Sequence, residues 1–321
     1  MVNEKKKGGY RQKALHENLF AFSVLILFII QFIVFWVYAN INNILLAFQK
    51  YNAQANRFEF LSWDENIFSN FALVFERIFG GSKKYGLSAI LNGAYFHLLT
   101  SFVCLPFSYM IAFILYKKLP ATGFFKVVLY LPAILSSMVT VWIFRYIIEV
   151  GIGGVYDELK GISGAFPAVF TSPVYNRLVV SFYVIFFGLP GSLLINLGSM
   201  SRVPQELIEY GELEGISLWK EFILITVPMV FPVLQVQCLG LFTGFFTNQG
   251  PLFTFYAKDA PSNLATFGYN LFISVVDGDT TAAKLNYGYN TAVSLTIGLI
   301  SIPIVQATKW LFDKLDPGAE F

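Results

Sequence analysis

The stretch Glu206-Leu-Ile-Glu209-Tyr-Gly-Glu-Leu-Glu-Gly215 is a polar wedge between two strongly apolar runs, continuing through Ile216-Ser-Leu-Trp-Lys-Glu-Phe222 to Thr226-Val-Pro228. Its glutamates at 206, 209, 212 and 214 cannot be buried in lipid, where a carboxylate is costly. Pro204 suits a first helical turn, where its missing N–H costs nothing. Glu206 sits near the positive end of the helix dipole, which favours a carboxylate. Gly215 can take the left-handed conformation that closes a helix. Trp219 and Phe222 then start a second short amphipathic piece before Pro228 opens the next apolar run. The segment therefore reads as a helix–turn–helix lying along a membrane face and offered to the aqueous phase.

The flanks decide the class. Of 321 residues 56% are hydrophobic and 13% charged, against about 25% charged in a typical soluble domain. Near charge-free runs of about 20 residues are what a hydrocarbon core of roughly 30 Å demands of a helix. The predicted fold is all-α integral membrane, since only helices or closed barrels satisfy their backbone in lipid. Six spans are expected, at residues 19–39, 88–116, 124–148, 178–200, 226–248 and 291–312. The organisation predicted is a tail, 1–18, a six-helix domain, 19–313, containing the acidic loop 201–225, and a tail, 314–321. The first run lacks a small-residue cleavage signature and reads as a retained helix. Pro106 in the second span predicts tilt or a kink.

Lys and Arg placement sets the orientation. Lys5, Lys6, Lys7, Arg11 and Lys13 put the N-terminus in the cytoplasm. Alternation then places Lys117, Lys118, Lys126, Arg202, Lys220, Lys309 and Lys314 inside as well. That is twelve inside against nine in outer loops. Both termini and the acidic loop are accordingly expected on the cytoplasmic side of a multi-pass protein of a prokaryotic inner membrane. Outside, residues 68–79 carry apolar positions at helical spacing. The apolar piece 264–276 is too short for a seventh span and suits an interfacial or re-entrant helix.

Net charge is +2, which gives no reason to expect nucleic acid. Cys104 and Cys238 lie in apolar runs, with neither a disulfide nor a metal spacing expected. His97 and Asn92 in the second span read as interhelical hydrogen-bonding groups rather than a proton relay, which needs further ionisable partners at depth. Arg145 and Glu149, four apart, predict a local ion pair. Gln235 and Gln237 cannot face the same way, so at least one packs against a helix. Asn196 either lines a path or bonds a neighbour.

The Pro–Glu–Gly–Pro pattern resembles the EAA loop of ABC-importer permeases, roughly iP-x-E-L-x-E-A-A-x-x-D-G-A-s, a spacer, then I-t-L-P. Val203-Pro204, Glu206-Leu207, Glu209, Gly215, Ser217, Phe222, Ile225, Thr226 and Pro228 match. The two alanines are replaced by Tyr210 and Gly211, and the aspartate by Glu214. Tyr210 puts a bulky ring where a methyl normally packs, as if a partner groove were shaped for it. Phe187-Gly-Leu-Pro190 looks like the W-x-x-x-P stretch of the preceding family helix. The segment from Leu119 to Pro132 is similar to the family's k-l-x-G-r-x-f-f-R…l-P, and Leu46-Ala-Phe-Gln-Lys-Tyr51 resembles the carbohydrate-uptake branch of maltose and multiple-sugar permeases. The usual T-x-G-G-P is degraded, here to Tyr256-Ala-Lys-Asp-Ala-Pro261.

The resemblance implies the type I permease fold and a role in importing a sugar or oligosaccharide. The implied partners are a second, similar permease subunit in a heterodimer, a dimer of ATPase subunits and an extracytoplasmic solute-binding protein. No G-x-x-x-x-G-K-[ST] phosphate loop occurs here. ATP and Mg are therefore expected on the ATPase, and this chain is expected to carry no cofactor and no enzymatic activity. Glu206, Glu209, Tyr210, Gly211 and Gly215 are the implied ATPase-coupling positions. Phe187, Gly188, Gly191, Phe245 and Asn248 are the candidate substrate path, since sugars are held by aromatic faces and amides. Import of a peptide or polyamine is the nearest alternative, and an ion-coupled secondary transporter a more distant one.

Overall fold

The computed structural model describes residues 19–20, 22–80, 86–118, 122–276, 281–316 and 318. The expected tail 1–18, Leu119, and residues 317 and 319–321 lie outside them. In chain order come helix α1 (Phe22–Leu46), a hairpin of β1 (Gln49–Asn52) and β2 (Arg57–Phe60), α2 (Ser69–Phe79), α3 (Leu87–Tyr116) and α4 (Thr122–Ile134). There follow α5 (Ser137–Lys160), α6 (Asn176–Met200), α7 (Gln205–Leu213), α8 (Leu218–Thr243), α9 (Leu252–Tyr256), α10 (Phe267–Val275) and α11 (Thr281–Leu315). Among the described residues six helices are long and apolar enough to cross a membrane, namely α1, α3, α5, α6, α8 and α11 from Lys284. The chain is a multi-pass helical membrane protein.

The six-span reading stands, with shifted boundaries. The third apolar run, expected as one helix over 124–148, is two. Pro132 lacks an N–H and weakens the end of α4. Ser136 then turns extended (φ −65°, ψ 150°) and its hydroxyl accepts from the Val139 N–H at 3.4 Å, starting α5. The membrane-length helix therefore runs to Lys160, where Gly161 closes it at φ +66°. The fifth span starts at Leu218 rather than 226 and ends at Thr243 rather than 248, so the second piece of the acidic loop is its first turn. The sixth starts by Lys284 rather than 291. Residues 264–276 contain the nine-residue α10, capped by the Thr266 hydroxyl accepting from the Tyr269 N–H. At about 1.5 Å per residue it cannot span.

Pro106 and Pro228 are accommodated alike. Each would clash with the carbonyl four residues back, of Phe102 or Leu224. Both carbonyls lie in a wide π turn, Thr100–Cys104 or Phe222–Thr226, which continues the helix through the proline.

The fold divides into two compact units: Met1–Val74 with Asp279–Leu295, and Phe75–Gly278 with Thr296–Phe321. In the first, the hairpin pairs antiparallel, Gln49 opposite Phe60 and Asn52 opposite Arg57. The Asn52 side-chain oxygen accepts from the Gln54 and Ala55 N–H groups at 3.0 and 3.1 Å to hold its turn. Asn70 of α2 donates to the carbonyls of Ala47 and Gln49 at 2.8 and 3.0 Å. The second unit is organised around Leu105, Tyr109 and Phe113 of α3, Leu193 and Met200 of α6, Ile208 of α7, and Phe222 and Val230 of α8.

Candidate functional site

The acidic loop is an ordered two-helix element seated on that core. On α7, Ile208 is 4% exposed and Gly211, three residues on, is buried beside it. Leu207, Tyr210 and Leu213 face outward, Tyr210 at 67% and Leu213 at 83% exposure. Glu206 and Glu209 are exposed with them. The Tyr210 ring thus occupies no packed position within this chain.

Gly211 packs beneath two isoleucine side chains. The α7 C-terminus is a Schellman turn: the Ile216 N–H donates to the Gly211 carbonyl and the Gly215 N–H to the Glu212 carbonyl, each at 3.1 Å, with Gly215 at φ +70°. That geometry lays the Ile216 side chain over residue 211. A Cβ there would stand 2.8 Å from Ile216 Cδ1 and 3.1 Å from Ile225 Cδ1. Ile216 itself stands where the EAA pattern has its next alanine.

Lys117, the residue that ends α3, binds both halves of the loop. Its ammonium donates to Glu212 at 3.1 Å and to Glu221 at 3.0 Å. The Glu221 side chain is 3% exposed and that of Lys117 14%. Desolvation pulls the Lys117 pKa down, but hydrogen bonds and charge from Glu221 and Glu212 outweigh it, and the net shift is upward. The Phe113 and Phe222 rings meet at 5.1 Å beside this contact.

A cavity of ≈ 300 Å³ opens among α3, α6 and α8. Gly188 and Gly191 form part of its wall with Thr100, Cys104, Ser192, Gly240 and Gln237. Behind it runs a buried polar chain. The Ser192 and Ser108 hydroxyls are 2.8 Å apart, Asn196 Nδ2 donates to Ser108 Oγ at 3.0 Å, and Gln237 Nε2 donates to Asn196 Oδ1 at 2.7 Å. Asn196 bonds neighbours and does not line the cavity. Gln237 does line it, and its buried Oε1 has no partner. Every lining side chain is uncharged.

The five path residues do not converge. Phe245 and Asn248 border a separate cavity of ≈ 130 Å³ with His97 and Thr266, and only Thr100 is common to both walls. Asn248 lies past the end of α8, where its Oδ1 accepts from the Gly250 N–H at 2.7 Å. Phe245 meets the His97 ring edge-on at 4.9 Å. Phe187 lines neither cavity; it stacks on Tyr183 at 4.6 Å within an aromatic cluster around Phe144 and Phe255. Gln237 and Ser192 line the larger cavity, and sequence reasoning did not place them there. The signal was there, since Gly188, Ser192 and Asn196 recur every four residues along one face of α6.

Of the remaining polar readings, that of His97 is corrected: its ring nitrogen meets the Ser101 hydroxyl at 3.4 Å within the same helix, and its contacts to Phe242 and Phe245 are ring packing. Those of Asn92 and Arg145 hold. Asn92 donates to the carbonyls of Ser262 and Ala265 at 3.2 and 3.1 Å and accepts from Arg177 at 2.5 Å. Arg145 pairs with Glu149 at 3.2 Å.

No family model matches the chain. It is 23% identical over 252 residues to the maltose/maltodextrin transport system permease protein MalF of Shigella flexneri, covering 74% of this chain and 49% of that protein. MalF of Escherichia coli (strain K12) gives the same figures. The galactooligosaccharides transport system permease protein GanP of Bacillus subtilis (strain 168) is 25% identical over 198 residues, 61% of this chain and 46% of that one. The chain spans about half the length of the curated relatives it matches. Among solved structures, a bacterial ABC transporter involved in the import of the acidic polysaccharide alginate superposes with TM-score 0.70 at 16% identity, over 94% of this chain and 98% of that one. A bacterial alginate ABC transporter in complex with an alginate pentasaccharide-bound periplasmic protein gives TM-score 0.71 at 16% identity, over 95% and 98%. The chain is homologous to these sugar-uptake permeases and has the fold of an ABC-importer transmembrane subunit.

Proposed function

We propose that this homologue of sugar-uptake permeases is one membrane-spanning subunit of an ATP-driven importer, and that it forms part of the path for a sugar or oligosaccharide. The observation that carries the reading is the acidic loop: two helices held on the span core, presenting Glu206, Glu209, Tyr210 and Leu213 outward. A charged surface with two large exposed apolar side chains suits a protein partner. In this reading the partner is an ATPase subunit that holds ATP and Mg, docked on the cytoplasmic side, with both termini there. A second permease subunit and an extracytoplasmic binding protein complete the assembly.

Within this chain the ≈ 300 Å³ cavity is the better path wall. Gly188 and Gly191 expose backbone there, while Ser192 and Gln237 offer a hydroxyl and an amide. Sugar hydroxyls need both donors and acceptors, and the Gln237 Oε1, buried and without a partner, is an acceptor that a turn of the side chain would present to the cavity. An uncharged wall suits a neutral sugar over an acidic one, because a carboxylate taken from water needs a cation or several donors. The lack of clustered ionisable side chains here speaks against ion coupling.

The coupling assignment is tested by Gly215→Pro. The variant inserts normally and no longer co-purifies with the ATPase subunit; normal co-purification and full transport rule the assignment out.

A further inference from the structure

We propose that Lys117 is a positioning residue for coupling: one ammonium ties both helices of the acidic loop to the end of the second span, so that displacement of the loop reaches α3 and α8 together. This rests on the reading that the loop receives motion from an ATPase. Three elements meet at one point. Lys117 is the C-cap of α3, Glu212 belongs to α7, and Glu221 lies in the first turns of α8, which continue unbroken to Thr243.

The two arms differ in strength. Glu221 is buried, and an ion pair shielded from water is hard to break because each charge would be left uncompensated. The Glu212 side chain is 63% exposed, and a pair of that kind is weak and readily remade. The inner arm therefore fixes α8 to α3, while the outer arm lets α7 rock against them. Beneath the clamp lies an apolar groove of ≈ 250 Å³, lined by Met110, Phe113, Ile114, Leu218, Trp219 and Phe222. Apolar contact across a groove is non-directional, so it leaves the rotation of α8 against α3 to the charged contact. Lys117 was visible in the sequence only as an orientation marker. Its pairing with residues 95 and 104 positions away required the fold.

The test uses the complete importer in proteoliposomes, measuring solute taken up per ATP hydrolysed. Lys117→Met keeps the apolar stem but strands Glu221, so Lys117→Met/Glu221→Gln is made alongside it to spare the fold. The double variant is expected to assemble and hydrolyse ATP while uptake per ATP falls by about tenfold or more. Lys117→Arg, with a larger fork of donors, is expected to keep most of it. Wild-type uptake per ATP in the double variant overturns the proposal. A second measurement needs no ATPase: amide hydrogen exchange on the purified chain. Lys117→Met should speed exchange across residues 205–221 and leave α6 and the rest of α8 unchanged; unaltered exchange in 205–221 also overturns it. If the wild-type importer shows no ATP-driven uptake, the functional reading fails and exchange alone decides the role of Lys117.

Discussion

Gly215 and Gly211 look alike in the sequence and differ in what they do. Gly215 is required by its backbone: φ is +70°, and a Cβ added there would meet nothing within 4 Å. Gly215→Ala should therefore cost about 1–2 kcal/mol of stability, and Gly215→Asn less, because only the left-handed conformation is penalised. Gly211 is closed over by the ends of the Ile216 and Ile225 side chains, which must shift to admit anything larger. Gly211→Leu should cost about 1–3 kcal/mol through overpacking. Thermal unfolding of the purified chain distinguishes the two. Tyr210 is the opposite case, exposed and without a packing role in this chain. Tyr210→Ala should leave stability within about 0.5 kcal/mol and weaken retention of the ATPase subunit in a pull-down. The Gly215 turn was legible from sequence because Pro204, the acidic run and the glycine mark both ends of α7. The packing of Ile216 over Gly211 was not, because spacing alone does not say which side chain folds over which.

Hydropathy locates the helices better than it locates their ends. It counts apolar residues, and α4 and the start of α5 are both apolar, so the break at Ser136 is hard to see in it. Pro132 followed by Ser136-Ser137 is the available sign. The hairpin escapes the same reading because its strands are four residues each and largely polar. The alternation in Arg57-Phe-Glu-Phe60 is its whole signature. The end of α3 supports a prediction on pH. A lysine with a raised folded-state pKa contributes stability fully present below the unfolded value of 10.5 and lost as pH rises through the folded value above it. The difference in unfolding temperature between the wild type and Lys117→Met should therefore be constant across neutral and mildly alkaline pH. It should shrink only above 10.5. A difference that vanishes near neutrality means Lys117 is not held by Glu221 and Glu212.

At the scale of the molecule the class and the span count were legible, because lipid admits few architectures and long apolar runs declare themselves. The path was not. Of its five expected residues, Gly188 and Gly191 share one cavity, Phe245 and Asn248 another, and Phe187 joins an aromatic cluster. The two aromatic members each meet another ring, Phe187 that of Tyr183 and Phe245 that of His97. The polar face of α6 leads instead to Gln237 across the cavity. A Cβ at Gly191 would meet nothing within 4 Å, so Gly191→Phe should fold normally and fill the cavity, with uptake lost. Normal uptake in that variant places the path elsewhere. The central claim meets its most direct test in uptake of a neutral oligosaccharide by vesicles holding the complete importer, supplied with ATP and no ion gradient. The account predicts uptake that requires ATP hydrolysis and is indifferent to a gradient; uptake that follows the gradient and ignores ATP contradicts it.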